Sequence, residues 1–116
     1  MKQGIQLGIL GIDHGHIFGM LENMLNEGCT CGSWWTEGSP TTLNEFEKKF
    51  SNLQRVSDKL KIIEDPDIDM ILISSIPKDR AELAILAMKA GKDVMVDKPG
   101  CITLDQLKDI ESCVNT

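Results

Sequence analysis

The chain has no basic excess. Its 12 Lys and Arg stand against 18 Asp and Glu, a net charge of −6. That balance excludes the basic face that nucleic acid or an anionic membrane surface requires. No apolar run approaches the roughly 18–20 residues of a membrane span. The first residues, Met1-Lys2-Gln3-Gly4, lack the apolar segment and small-residue cleavage site of a signal peptide, so a cytoplasmic location is expected. Internal repeats, low-complexity tracts and long linkers are missing too. Cysteines are few: Cys29, Cys31, Cys101 and Cys113. Cys29 and Cys31 lie two apart in a stretch that reads as a strand, which puts both on one face. A zinc knuckle needs two pairs at close spacing, and Cys101 with Cys113 does not supply the second. Free thiols and no bound metal are the expectation.

What is present suits one soluble domain of 116 residues with 41% hydrophobic content. Ile5 to Leu10 is short and almost wholly apolar, as a central parallel strand buried on both faces must be. Ile17, Met20, Leu21, Met24 and Leu25 then recur at helical spacing until Gly28. Cys29 to Trp35 reads as a second strand. Thr42-x-x-Glu45 is a capping box for a helix carrying Leu43, Phe46 and Phe50. Gln54 to Val56 reads as a very short third strand, and Ser57 as the cap of a short helix with Leu60 and Ile63. Ile68 to Ser74 is the strongest strand. Pro77 opens a long helix stopped by Gly91. Val94 to Val96 reads as another buried strand, and Thr103-x-x-Gln106 caps a last helix with Leu104, Leu107, Ile110 and Val114. Strands alternating with helices predict an α/β fold with a doubly wound parallel sheet, the nucleotide-binding Rossmann architecture.

In such a sheet, ligands bind beyond the carboxyl ends of the strands, where strand order reverses. The first turn there reads Gly11-Ile12-Asp13-His14-Gly15-His16. Against the template G-x-G-x-x-G/A, Gly11 matches, Asp13 replaces the second glycine and His16 the third. The second glycine normally lets backbone N–H groups reach a pyrophosphate at a helix N-terminus. Asp13 adds bulk and like charge there, and a carboxylate at that spot is a good N-cap for the N–H of Gly15 or His16. At an effective dielectric of 20 and roughly 5 Å, one like charge costs about 3 kcal/mol, on the order of a hundredfold in affinity. The turn is thus expected to be used but altered, with the pyrophosphate on the backbone of Ile12 to Gly15. His14 and His16 either donate to phosphate, pair with Asp13 or stand as exposed loop residues. Gly19 is expected to give the close helix–sheet approach of the missing third glycine.

The second strand ends Trp34-Trp35-Thr36-Glu37. Thr36 takes the usual position of a ribose-binding acid and Glu37 lies one later, about 20 residues beyond the turn. Glu37 disfavours a 2′-phosphate, so NAD is expected over NADP. Trp34 and Trp35 point to opposite faces, with at least one in the core.

Gly91-Lys92-Asp93-Val94-Met95-Val96-Asp97-Lys98-Pro99 resembles the G-K-h-V-l-v-E-K-P signature of the Gfo/Idh/MocA family (glucose–fructose oxidoreductase and inositol dehydrogenase). Asp65-Pro66-Asp67-Ile68-Asp69-Met70-Ile71-Leu72-Ile73 is similar to that family's strand entry, and Ile76-Pro77-Lys78-Asp79-Arg80-Ala81-Glu82-Leu83-Ala84 to its T-P-x-x-x-H helix start. The resemblance runs from about residue 4 to 116. It implies a nicotinamide-cofactor domain of an oxidoreductase acting on the CH–OH group of a sugar, polyol or similar substrate. It also implies that Lys98 reaches the nicotinamide ribose and the reacting hydroxyl, with Asp97 orienting the ammonium and a cis bond at Lys98-Pro99. Ser74, Ser75 and Pro77 fall in the loop under the cofactor. Arg80 stands where the family often has histidine; it and Lys78 either touch phosphate or substrate or sit in solvent.

The family's second domain supplies most substrate contacts and a catalytic histidine, and no residue here matches it. The chain therefore reads as the dinucleotide-binding part of a longer protein, inactive alone, with self-association through uncovered surface a further expectation. Two other readings remain: a non-catalytic Rossmann module that senses a nucleotide or CoA-type ligand, and a fold kept only for association.

Overall fold

Two strands of this chain are apolar at nearly every position because helices cover both sides of the sheet that contains them. The computed structural model describes residues 4–98 and 104–114. In chain order the elements are β1 (Gln6–Leu10), α1 (His16–Asn26), β2 (Thr30–Trp35), α2 (Leu43–Lys49), β3 (Gln54–Arg55), α3 (Leu60–Ile63), β4 (Met70–Ile73), α4 (Pro77–Lys89), β5 (Asp93–Val96) and α5 (Leu104–Val114). The strands form one sheet in the order β3-β2-β1-β4-β5, every pair parallel. The chain turns back at β1 and β4, so the order reverses between them. This is the doubly wound Rossmann-like fold the alternation predicts.

Side chains of β1 and β4 divide between two cores. Leu7, Ile9 and Leu72 pack with Ile17 and Leu21 of α1 and with Phe46 of α2. Leu10, Ile71 and Ile73 pack with Ile62 and Ile63 of α3 and with Leu83, Ala84 and Ala87 of α4. Ile9, Leu10, Ile71, Leu72 and Ile73 have no exposed surface, and truncating such a side chain to alanine costs about 2–5 kcal/mol. Gly8 stands where α3 comes closest: a Cβ there would lie 2.6 Å from Ile62 Cγ2. The close helix–sheet approach expected of Gly19 does not occur, since a Cβ on Gly19 meets open space.

Three local expectations are corrected. β2 carries a bulge: Leu7 pairs with Cys31 and Gly8 with Ser33, leaving Gly32 as the extra residue. The bulge sets Trp34 beside Cys29 and Cys31 on the first core, while Trp35 joins the second. Val94 to Val96 is not a fully buried strand. β5 is the last strand of the sheet, paired only with β4, and Met95 is 37% exposed. The caps also differ: Thr42 makes no side-chain cap on α2, and Asp58 rather than Ser57 accepts the Leu60 N–H at the start of α3, 2.9 Å. The Thr103 cap, Cys101 and the Lys98-Pro99 bond lie outside the described residues. Cys29, Cys31 and Cys113 are half-buried, and burial pushes the Cys31 thiol up to about 11. No helix among the described residues is long and apolar enough to cross a membrane.

Candidate cofactor site

The loops after β1 and β4 meet at the point of reversal. Gly11 holds φ +89°, and a Cβ there would lie 2.5 Å from Ser75 Cβ and 2.7 Å from Ser75 Cα. Only glycine allows both the left-handed turn and this contact. Gly11 N–H donates to the Trp35 carbonyl at 2.7 Å, and His14 N–H donates to the Ser74 carbonyl at 3.0 Å. Ile12 is fully buried; its N–H donates to Thr36 Oγ1 at 3.2 Å, and its carbonyl accepts from the Thr42 hydroxyl. The hydroxyl expected to cap α2 therefore fastens that helix to the glycine turn instead.

These bonds narrow the anion site. The expected cradle ran from Ile12 to Gly15, but the N–H groups of Ile12 and His14 are already taken. Asp13 does not cap α1 either. Gly15 is the N-cap residue, with no side-chain cap, and Asp13 bonds its own N–H. His16 N–H donates to His14 Nδ1 at 3.1 Å. The Gly15 N–H is the donor at this helix start with no partner among the described residues. Thr36 is 3% exposed, and its Oγ1 accepts the Ile12 N–H. Glu37, exposed beside it, is one of four acids that line the adjoining cavity, with Asp13, Asp79 and Glu82.

Asp97, at the exit of β5, gathers the other end of the site. His16 Nδ1 lies 2.9 Å from Oδ1 and His14 Nδ1 3.5 Å from Oδ2. Ser74 Oγ donates to Oδ2 at 3.1 Å and Lys98 N–H to Oδ1 at 2.8 Å. Burial alone raises the Asp97 carboxyl, but the hydrogen bonds from His16 and Ser74, with the charges of His16 and Arg80, outweigh it and hold it below its ordinary value. The histidines thus pair with Asp97 and not with Asp13. Among the described residues the Asp97 carboxylate lies against His14, His16, Ser74 and Arg80, and it accepts the backbone N–H of Lys98.

Arg80 resolves an open alternative in a third way. It touches neither solvent nor open space, being 1% exposed. Its Nε donates to the Ser75 carbonyl at 2.7 Å, its Nη1 to the carbonyls of Asp97 and Lys98 at 3.3 and 2.6 Å, and its Nη2 lies 3.5 Å from Asp97 Oδ2. One guanidinium thereby ties the loop after β4 to the exit of β5, a geometry lysine could not reproduce. Nothing in its sequence position beside exposed Lys78 distinguishes it.

Two openings flank this hub. A cavity of about 340 Å³ lies between Gly11, Asp13, Trp35, Glu37, Ser75 and Ile76 on one side of the turn. Asp79 and Glu82 of α4 and Lys59 also line it, three residues without a signal in the sequence pattern. Partial burial, followed by the charges of Asp79 and Glu37, raises the Asp13 carboxyl above its ordinary value. On the other side, Gly15, His16, Asp97 and exposed Lys98 border an open groove of about 450 Å³. Pro77, exposed at the start of α4, lines neither opening. The carboxyl edge thus carries a glycine turn packed on Ser75, an acid at the end of β2, a helix-start N–H with no partner among the described residues and a lysine at the far end.

Residues 37–116 match the family described as "Oxidoreductase family, NAD-binding Rossmann fold", GFO_IDH_MocA. The chain belongs to this family. Levoglucosan dehydrogenase of Pseudarthrobacter phenanthrenivorans is 33% identical over 78 residues, which are 67% of this chain and 20% of that protein. Myo-inositol 2-dehydrogenase of Thermotoga maritima is 34% identical over 62 residues, 53% of this chain and 19% of that protein. A solved protein of Erwinia carotovora atroseptica SCRI1043, classed with the oxidoreductases, superposes with a TM-score of 0.91 at 31% identity. That likeness covers 96% of this chain and 33% of the solved one. The matched segments therefore span about a fifth of these curated Gfo/Idh/MocA relatives. The family match begins at residue 37 and so leaves out the altered glycine turn.

Proposed function

We propose that this chain is the dinucleotide-binding domain of an oxidoreductase acting on the CH–OH group of a sugar, polyol or related substrate, with NAD preferred over NADP. The observation that carries the reading is convergence. The glycine turn and the exit of β5 are 81 positions apart in sequence at His16 and Asp97, yet their side chains lie 2.9 Å apart. A cofactor laid across the carboxyl edge would reach from Glu37 to Lys98.

The residues divide the work by chemistry. Gly11 lets the turn pack against Ser75, and the Gly15 N–H at the start of α1 donates to a phosphate oxygen. Glu37 accepts from ribose hydroxyls and repels a 2′-phosphate. Nicotinamide, when bound, supplies the hydride acceptor. Lys98 stabilises negative charge developing on the carbinol oxygen. Asp97, locked by Ser74 and Arg80, fixes the backbone that presents Lys98. Substrate contacts come from a further domain, so this chain alone gives no turnover; turnover on a panel of sugar alcohols would overturn that division.

NADH and NADPH titrations test the cofactor reading. NADH is expected to bind at least about tenfold tighter, and Glu37→Gln to shrink the difference. The acids Asp13, Asp79 and Glu82 around the cavity beside Gly11 favour a second reading, a module that senses an uncharged or less anionic nucleoside ligand. Binding of adenosine with no binding of either dinucleotide would select it.

A further inference from the structure

Asp97 has more imidazole around it than its charge requires. Arg80 already lies 3.5 Å from the carboxylate and is itself buried. Two histidines nonetheless converge on it from a loop remote in sequence. Their ring centroids are 4.0 Å apart with the planes inclined at 50°. One donor nitrogen from each ring and one carboxylate oxygen all lie within 4.8 Å of one another.

His14 Nδ1 lies 3.5 Å from Asp97 Oδ2 and His16 Nδ1 2.9 Å from Oδ1. A metal bound at about 2.0–2.1 Å to each of two ligands sets those ligands about 3–3.5 Å apart, the range of both histidine–Asp97 separations, 2.9 and 3.5 Å.

We propose that His14, His16 and Asp97 form a binding site for a divalent first-row transition metal of the Zn²⁺ class. Two imidazoles and one carboxylate suit Zn²⁺ and its neighbours, and suit Ca²⁺ or Mg²⁺ poorly because those ions prefer all-oxygen shells. The carboxylate is oriented in advance by Ser74 Oγ and the Lys98 N–H, the outer contacts that metal ligands ordinarily need. Both imidazoles are half exposed or more, at 50% and 62%, so an ion can enter from solvent. Three protein ligands leave positions open, and these give onto the groove bordered by Lys98. A water, hydroxyl or carboxylate oxygen would complete the shell. The pair of histidines precedes the segment that matches the family.

The test is metal binding by the whole chain after chelator treatment. Zn²⁺ is expected to bind one to one in calorimetry, and Co²⁺ to give visible d–d bands without the charge-transfer bands of thiolate ligation. His14→Ala and His16→Ala are each expected to weaken Zn²⁺ at least about tenfold, with the metal-free chain still unfolding cooperatively. A Cys29→Ser/Cys31→Ser double variant is expected to bind as before. Asp97→Asn disturbs a buried hub, so the histidine variants carry the decision. No stoichiometric binding, binding that survives both histidine variants, or binding lost in the cysteine variant would each overturn the site.

Discussion

The two ends of the crevice are built on different plans. At the turn after β1, the ligand-facing groups are backbone, and the fold has already used much of that backbone: Ile12 N–H on Thr36, His14 N–H on Ser74 and His16 N–H on the His14 ring. At the exit of β5 the ligand-facing group is a side chain, Lys98, and the backbone behind it is held by buried Arg80. A site made of backbone can be altered by one intruding side chain, as Asp13 does here. A site made of a side chain on a clamped strand exit keeps its geometry while neighbours change.

Breaking the clamp should have the largest effect. Arg80→Leu leaves Asp97 buried without its guanidinium and three carbonyls without a donor; a loss of about 3–5 kcal/mol in urea unfolding is expected. A loss below about 1 kcal/mol would mean that the exit of β5 does not depend on it. Gly11→Ala attacks the other end. With φ at +89° and Ser75 2.5 Å from the new Cβ, a loss of about 2–3 kcal/mol is expected, and NADH binding should fall with it. Unchanged stability would show that the loop after β4 can retreat.

Asp13 sharpens the comparison without breaking the fold. Asp13→Asn removes one negative charge from the turn, and NADH should bind roughly tenfold tighter, a figure below the unscreened estimate because the group is partly exposed. The sign with pH follows from its raised value. As pH falls from neutral toward that value, Asp13 takes up a proton and its repulsion of phosphate disappears, so NADH affinity should rise in the native chain and stay flat in Asp13→Asn. Asp97 behaves in the opposite sense. Its lowered carboxyl contributes stability that is fully present above the ordinary value of 3.8 and is lost as pH falls below it. Urea midpoints should therefore drop on acidification past that point, and less steeply in Asp97→Asn.

The apolar runs of the central strands and the period-3.6 pattern of the helices were enough to read the order of elements, because those strands bury both faces and each helix one. Pro77 and Gly91 marked the ends of α4 for local reasons that tertiary packing did not override. The details that fix the site depended on contacts between distant segments. Thr42 and Ile12 are 30 positions apart, and their bond replaces the cap that the local pattern of Thr42 and Glu45 suggests. The bulge at Gly32, visible in sequence only as one glycine, exchanges which tryptophan faces the first core. Arg80 and Lys78 look alike in sequence, and only the approach of β5 makes one of them a buried clamp. The histidines posed the same problem: their spacing placed them at the helix start, but Asp97 lies 81 residues beyond His16.

The claim that both ends serve one ligand is tested most directly by titrating NADH into the labelled chain and following the backbone amides of Gly15, Glu37 and Lys98. The account predicts that all three shift along a single binding curve. Shifts confined to one end, or none at millimolar NADH, would contradict it.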